Sequence, residues 1–281
     1  MYLKNKKASI GNELKNRNYD IGRFFGMLPT WALYVFIVLV SVGVIALGAW
    51  IGYIRYQSGL REPEAPIDTA VAAILGLLAF MLGFTFSLTW SRFANRNSMI
   101  MSQAKTLTAC YLRTSLIPEE QKHELRMLLR EYLNVLLEIQ NLGEIEKGIA
   151  RIEELQVLIW NQTATLVQEE MDSELRSLFT SAVNDLFSLY IERKTIALVY
   201  RIPDAIWSSL LFLAGMGMFA FGYQTGMSGM RRIFQMPFIP IAFSVVIVLI
   251  ADLNATFVQR RFKVSKKPLL DVQDLMAREF S

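Results

Sequence analysis

One histidine and one cysteine are all that the chain offers in soft metal-ligating chemistry. They make no Cys/His site. His123 sits among Glu119, Glu120, Lys122 and Glu124 in a charged helical stretch and reads as a solvated surface residue. Cys110, being alone, excludes an intrachain disulfide and reads as a small packed side chain. There is no Gly-rich phosphate loop and no Ser/His/Asp set. The carboxylates Glu153, Glu154, Glu169 and Glu170 fall on amphipathic surfaces, where a solvated face is the default. The residues point away from an enzyme, and no metal or cofactor is expected.

The distinctive pattern lies in an apolar run. Val71 to Trp90 contains no Asp, Glu, Lys, Arg or His, yet it carries Phe80, Phe84 and Phe86 with Gly76 and Gly83. Wound at about 100° per residue with Phe80 at zero, Ala73 falls near about +20°, Gly76 near about −40°, Phe84 near about +40°, Ser87 near about −20° and Ser91 near about +20°. The opposite side carries Val71, Ile74, Leu75, Leu78 and Leu82, aliphatics suited to lipid or to another span. Small residues on a membrane helix often mark close helix packing. The other role is a path lined by copies of this helix. There Ala73 and Gly76 leave room outside, Phe80 and Phe84 form an apolar ring that gates by dewetting, and Ser87 and Ser91 wet the exit. With no charge in the ring, its residues give no reading of ion selectivity.

Two carboxylates border the apolar runs. Asp252 closes the last and Asp204 opens the third, beside Pro203 and Arg201. A carboxylate at membrane depth is costly and usually paired. Arg92 and Arg96 lie at the same level and are its natural partners. They form either interfacial ion pairs or a vestibule that concentrates anions.

The elements that must position these residues are helices. The chain has 281 residues and is 53% hydrophobic. About 20 apolar residues cross a bilayer core, and four blocks approach this: Thr30–Tyr53, Thr69–Trp90, Ala205–Gln224 and Met236–Ala251. The last contains Pro237 and Pro240 and is short. The first is too long for a secretory h-region and no clear cleavage site follows it, so a retained span is expected. Lys4, Lys6, Lys7, Lys15, Arg17 and Arg23 precede the first block, and Arg260, Arg261, Lys263, Lys266, Lys267 and Arg278 follow the last. By the positive-inside rule both termini and the long middle segment are cytoplasmic. The basic ends suit anionic lipid heads. Without a stacking platform between them, they do not suit nucleic acid.

The middle segment reads as three amphipathic helices: one from Pro118 to Gln140, a second from about Glu144 to Glu170, and a third from about Asp172 toward Pro203. After Ser91 no Pro or Gly ends the second span, which predicts one helix from Asp68 to Thr114. The expected organisation is a basic arm (1–29), spans 1 and 2 (30–92), a cytoplasmic helical domain (93–202), spans 3 and 4 (203–257) and a cytoplasmic tail (258–281).

The stretch "LLAFMLGFTFSLTWSRFANRNSMIMSQAKTLTACYL", then "LIPEEQKHELRMLLREYL" and "LIADLNATFVQRRFKVSKKPLLDVQDLM", resembles the bacterial bestrophin-like proteins. The matching positions include Arg92, Phe93 and Arg96, the Pro118–Tyr132 segment, the Asp252-Leu253 pair, and Val264, Ser265, Pro268, Leu269 and Asp271. The chain departs at Ser102-Gln103-Ala104, where those proteins often have Glu-Ala, and at Asn254-Ala255-Thr256, where they often have Asp-Arg-Pro. The resemblance implies an all-α, four-span fold with a cytoplasmic helical bundle between spans 2 and 3. It further implies a homo-oligomer, preferably pentameric, in a bacterial inner membrane. The implied function is an ion channel for small inorganic ions, anions by preference, with its constriction on the second span. The competing expectation is a non-conducting scaffold or sensor that binds partners through its cytoplasmic helices.

Overall fold

The computed structural model describes residues 29–59, 64–139, 142–167, 171–198, 202–229, 237–254 and 264–278. The basic arm through residue 28, Glu169, Glu170, Arg201, Arg231, Arg232, Arg260, Arg261 and Lys263 lie outside them. The described elements are α1 (Thr30–Gln57), α2 (Glu64–Arg113), a short 3-10 turn (Thr114–Leu116), α3 (Glu119–Glu138), α4 (Leu142–Thr165), α5 (Ser173–Leu198), α6 (Asp204–Met227), α7 (Phe238–Asn254) and α8 (Lys267–Arg278). No strand occurs among the described residues.

Proline and glycine punctuate the chain as their chemistry requires. Helices α1, α3 and α6 begin directly after Pro29, Pro118 and Pro203. A helix start has no acceptor for its first N–H groups, so proline's missing donor costs nothing there. Helices α1 and α6 each end in a turn through a left-handed glycine, Gly59 at φ 78° and Gly229 at φ 66°.

The chain divides into two compact units: Met1–Trp90 with Ile202–Phe262, and Ser91–Arg201 with Lys263–Ser281. In the first, α1 packs on α6 and α7. Its core joins Leu33 and Ile37 of α1, Leu78 and Leu82 of α2, Trp207, Leu210 and Ala214 of α6, and Ile247, Val248 and Ile250 of α7. Helices α1, α2 and α6 are each long and apolar enough to cross a membrane, and α7 is an apolar helix of 17 residues.

The α1–α6 contact is made by backbone. A methyl group built on Gly48 would lie 2.3 Å from the Phe219 carbonyl oxygen, and one on Gly52 2.3 Å from that of Tyr223. Reciprocally, methyls on Gly222 and Gly226 would lie 2.1 and 2.2 Å from the carbonyls of Ile45 and Ala49. Two Gly-x-x-x-Gly faces therefore meet with no room for a Cβ, the small-residue packing that serves where lipid supplies no hydrophobic drive between helices. Contact partners rise in number together along both helices, so α1 and α6 run parallel.

The second unit packs like a water-soluble bundle. Leu125, Leu129, Tyr132, Leu133 and Leu136 repeat at three- and four-residue spacing on α3 and are buried. Ile152, Leu155 and Ile159 of α4, Phe179, Val183 and Leu186 of α5, and Leu107 and Tyr111 of α2 complete the core. Helix α8 adds Leu269, Val272 and Met276. Lys266 Nζ donates to the carbonyls of Leu137 (2.7 Å) and Ile139 (3.1 Å) at the C-terminal end of α3. A cation there meets the negative end of the helix dipole. Arg130 Nη2 donates to the Met276 carbonyl (2.9 Å) and the Tyr111 hydroxyl (2.8 Å), and so fastens α8 and α2 to α3.

Candidate functional site

Helix α2 is continuous for 50 residues, about 75 Å at 1.5 Å per residue. It has two opposed faces. Val71, Leu78, Leu82, Thr85 and Thr89 are buried, Leu78 completely. The threonine hydroxyls bond back to the carbonyls of Met81 and Thr85, both at 2.7 Å, which satisfies them inside an apolar core. The facing stripe is uncovered in the single chain. Phe80 is 69% and Phe84 52% exposed, and Ala73, Gly76, Gly83, Ser87 and Ser91 are exposed with them. A methyl group on Gly76 or Gly83 would meet nothing within 4 Å. Ala94, Asn95 and Ser98 wind onto the same side of α2 and are also exposed.

The aliphatic face, for which lipid and another span were both open, packs against α6 and α7. The structure thus brings Gly76, Phe80, Phe84 and Ser87 onto one open face. Arg92 and Arg96 are not on it. They wind about 120° and about 160° away from Phe80 and are half-buried. The Arg96 guanidinium lies 5.9 Å from the Phe93 ring centroid.

Asp252 is 2% exposed, and its Oδ1 accepts from the Thr30 hydroxyl of α1 at 3.4 Å. Asp204 lies in the exposed first turn of α6, where a carboxylate suits the positive helix end. At the other end of the α1–α6 pair, Gln224 donates to Asp68, and Arg55 Nη1 to the Tyr223 hydroxyl at 3.4 Å. Sequence reasoning missed Thr30 as a partner of Asp252, because a lone threonine more than 200 positions away carries no signal. It also missed the Gly48/Gly52 and Gly222/Gly226 pairs, whose four-residue spacing is a legible signal.

Among the described residues no three His, Cys, Asp or Glu side chains gather where they could hold a metal ion. Burial pushes the Cys110 thiol up to about 12, which keeps it protonated and unreactive.

A chain that is helical, without strands, among its described residues, with three spanning-length apolar helices there, has the bestrophin-like fold and is a membrane protein. Two crystal structures of a bacterial bestrophin homologue from Klebsiella pneumoniae, both mutants, superpose with TM-scores of 0.63 and 0.64 at 16% and 15% identity. Each match covers 87% of this chain and 96% of the other. A further structure, described as a membrane protein, matches at a TM-score of 0.63 and 16% identity, with the same coverage. No curated protein matches the chain significantly. The chain belongs to the family defined by the Bestrophin-like domain, whose model matches residues 34–269.

Proposed function

We propose that this protein is a homo-oligomeric channel, pentameric by family resemblance, that conducts small anions across the bacterial inner membrane. The carrying observation is the pair of faces on α2: one buried against α6 and α7, the other, with Phe80 and Phe84, uncovered in the single chain. Large aromatics on a charge-free face flanked by Gly76, Gly83 and Ser87 suit an apolar constriction on a symmetry axis. Ser87, Ser91, Asn95 and Ser98 then wet the path below it. Arg92 and Arg96 stand behind that lining and bias it toward anions through their field.

In this reading α1, α2, α6 and α7 are four spans, and residues 93–202 with the tail after 257 are cytoplasmic. Support comes from the parallel course of α1 and α6, which an intervening antiparallel span requires. Helix α7, about 26 Å long, falls just short of the bilayer core's thickness of about 30 Å. The basic ends meet anionic lipid on the cytoplasmic side.

The test is chloride flux in reconstituted vesicles, normalised to assembled oligomer. Replacing Phe80 and Phe84 together with Ala widens and wets the constriction and raises flux. The control pair is Leu39→Ala on α1 and Phe212→Ala on α6, both exposed in the single chain and neither on the stripe. Unchanged flux in the first pair, or equal effects from both, refutes a constriction on this face of α2, and chloride flux no higher than that of empty vesicles refutes the channel assignment and favours the scaffold.

A further inference from the structure

The open face of α2 runs on past the proposed constriction. Phe84, Ser91, Ser98, Lys105 and Leu112 stand seven residues apart, and all five are exposed. A seven-residue step returns to within about 20° of the same side of a helix. The far side of this stretch is core: Leu107, Cys110 and Tyr111 are fully buried in the second unit. Lys105 therefore stands on the open stripe itself, about 21 Å beyond Ser91 along the helix axis.

Its charge is not balanced from within the helix. From Val71 to Arg113, α2 has no Asp or Glu and four cations, Arg92, Arg96, Lys105 and Arg113. Arg92 and Arg96 are half-buried and wind off the stripe. Arg113 donates to the Leu178 carbonyl of α5 at 3.0 Å. Lys105 makes no hydrogen bond or ion pair with any described residue. An ammonium without a counter-charge is costly to bury. When subunits assemble around α2, that cost keeps this level of the stripe in water.

We propose that Lys105 sets the charge preference of the cytoplasmic mouth of the conduction path. This role rests on the channel reading above. One lysine per subunit forms a ring of positive charge around the axis. The ring raises the local concentration of chloride and lowers that of potassium. Exposed charge acts over a Debye length, about 30 Å at about 0.01 M salt and about 3 Å at about 1 M. The preference is therefore strong in dilute salt and fades in concentrated salt. The apolar ring at Phe80 and Phe84 governs whether ions pass, and Lys105 governs which.

The test is the reversal potential of the full-length protein in planar bilayers under a potassium chloride gradient, in dilute and in concentrated salt. In dilute salt Lys105→Glu lowers the chloride-over-potassium preference by roughly tenfold, Lys105→Gln lowers it by less, and Lys105→Arg leaves it as it was. At about 1 M the variants converge. Lys147→Glu on α4, an exposed lysine off this stripe, is the control and shifts nothing. Lys105→Cys adds the charge after assembly, so folding of the variant does not enter. A cationic methanethiosulfonate restores the preference and an anionic one lowers it further, with Cys110 buried and silent. Wild-type conductance with the same preference in Lys105→Glu, or an effect of Lys105→Gln as large as that of Lys105→Glu, overturns this role alone. Wild-type bilayers no more conductive than protein-free ones overturn the channel reading and this role with it.

Discussion

The two units of this chain solve the same packing problem with opposite means. In the unit of α1, α6 and α7, two helices meet through Gly48, Gly52, Gly222 and Gly226, with carbonyl oxygens where side chains would otherwise be. Large apolar residues such as Trp31, Leu39, Trp50 and Phe212 point outward. In the unit of α3, α4, α5 and α8, the contacts are Leu, Ile, Phe and Tyr side chains around one core, with charges such as Lys122, Glu119 and Arg151 outside. The first pattern suits a solvent as apolar as the side chains themselves, where close backbone approach must hold helices together. The second suits water, where burial of apolar area is the driving term.

That contrast predicts where the chain is fragile. The largest effect belongs to the glycine faces. Gly222→Leu inserts a side chain where even a methyl would lie 2.1 Å from the Ile45 carbonyl. Helices α1 and α6 must separate, and the yield of monodisperse protein on size-exclusion chromatography should collapse. Gly215→Leu on the same helix, where a methyl meets nothing within 4 Å, should keep near-normal yield. Equal losses from both would erase the distinction between the packing modes.

Next comes Leu129→Ala in the core of the second unit, with Leu129 fully buried on α3. Cavity formation there costs about 2–5 kcal/mol. Thermal denaturation followed by circular dichroism should show a clear drop in midpoint, whereas Leu39→Ala on exposed α1 should show almost none.

A smaller effect concerns Cys110. Its thiol is raised from about 9 to about 12 by burial, so the folded state favours the protonated form. The stability this contributes is complete below about pH 9 and is lost as pH rises toward about 12. The thiol should resist iodoacetamide at pH 8 in the native protein and react on unfolding. Smallest of all is the exposed Lys122–Glu119 pair at 2.7 Å. Lys122→Gln should leave the midpoint within error at ordinary ionic strength.

The sequence made the long helices legible for simple reasons. The absence of Pro and Gly after Gly83 forecast the continuity of α2, expected from Asp68 to Thr114 and found from Glu64 to Arg113. The leucine spacing after Pro118 marked α3. Helix α8 was not foreseen, since 12 residues that begin Lys267-Pro268 resemble a tail until Leu269, Val272 and Met276 are seen as one face. Nor could winding α2 alone decide which of its faces stays open. That depends on Trp207, Leu210 and Ile247, which are distant in sequence and cover Leu78 and Leu82. The contacts of Gln103 with Tyr132 and Arg193 were invisible for the same reason, since they join single residues of three helices.

The central claim is that the open face of α2 looks onto a conducting axis. It is tested most directly by Ser87→Cys in reconstituted vesicles treated with a charged methanethiosulfonate reagent, since Cys110 is buried and stays silent. Covalent attachment of charge at residue 87 should change chloride flux abruptly, while the same treatment of Leu39→Cys on α1 should leave it unaltered. Full modification of Ser87→Cys, verified by mass spectrometry, with flux unchanged would contradict the account.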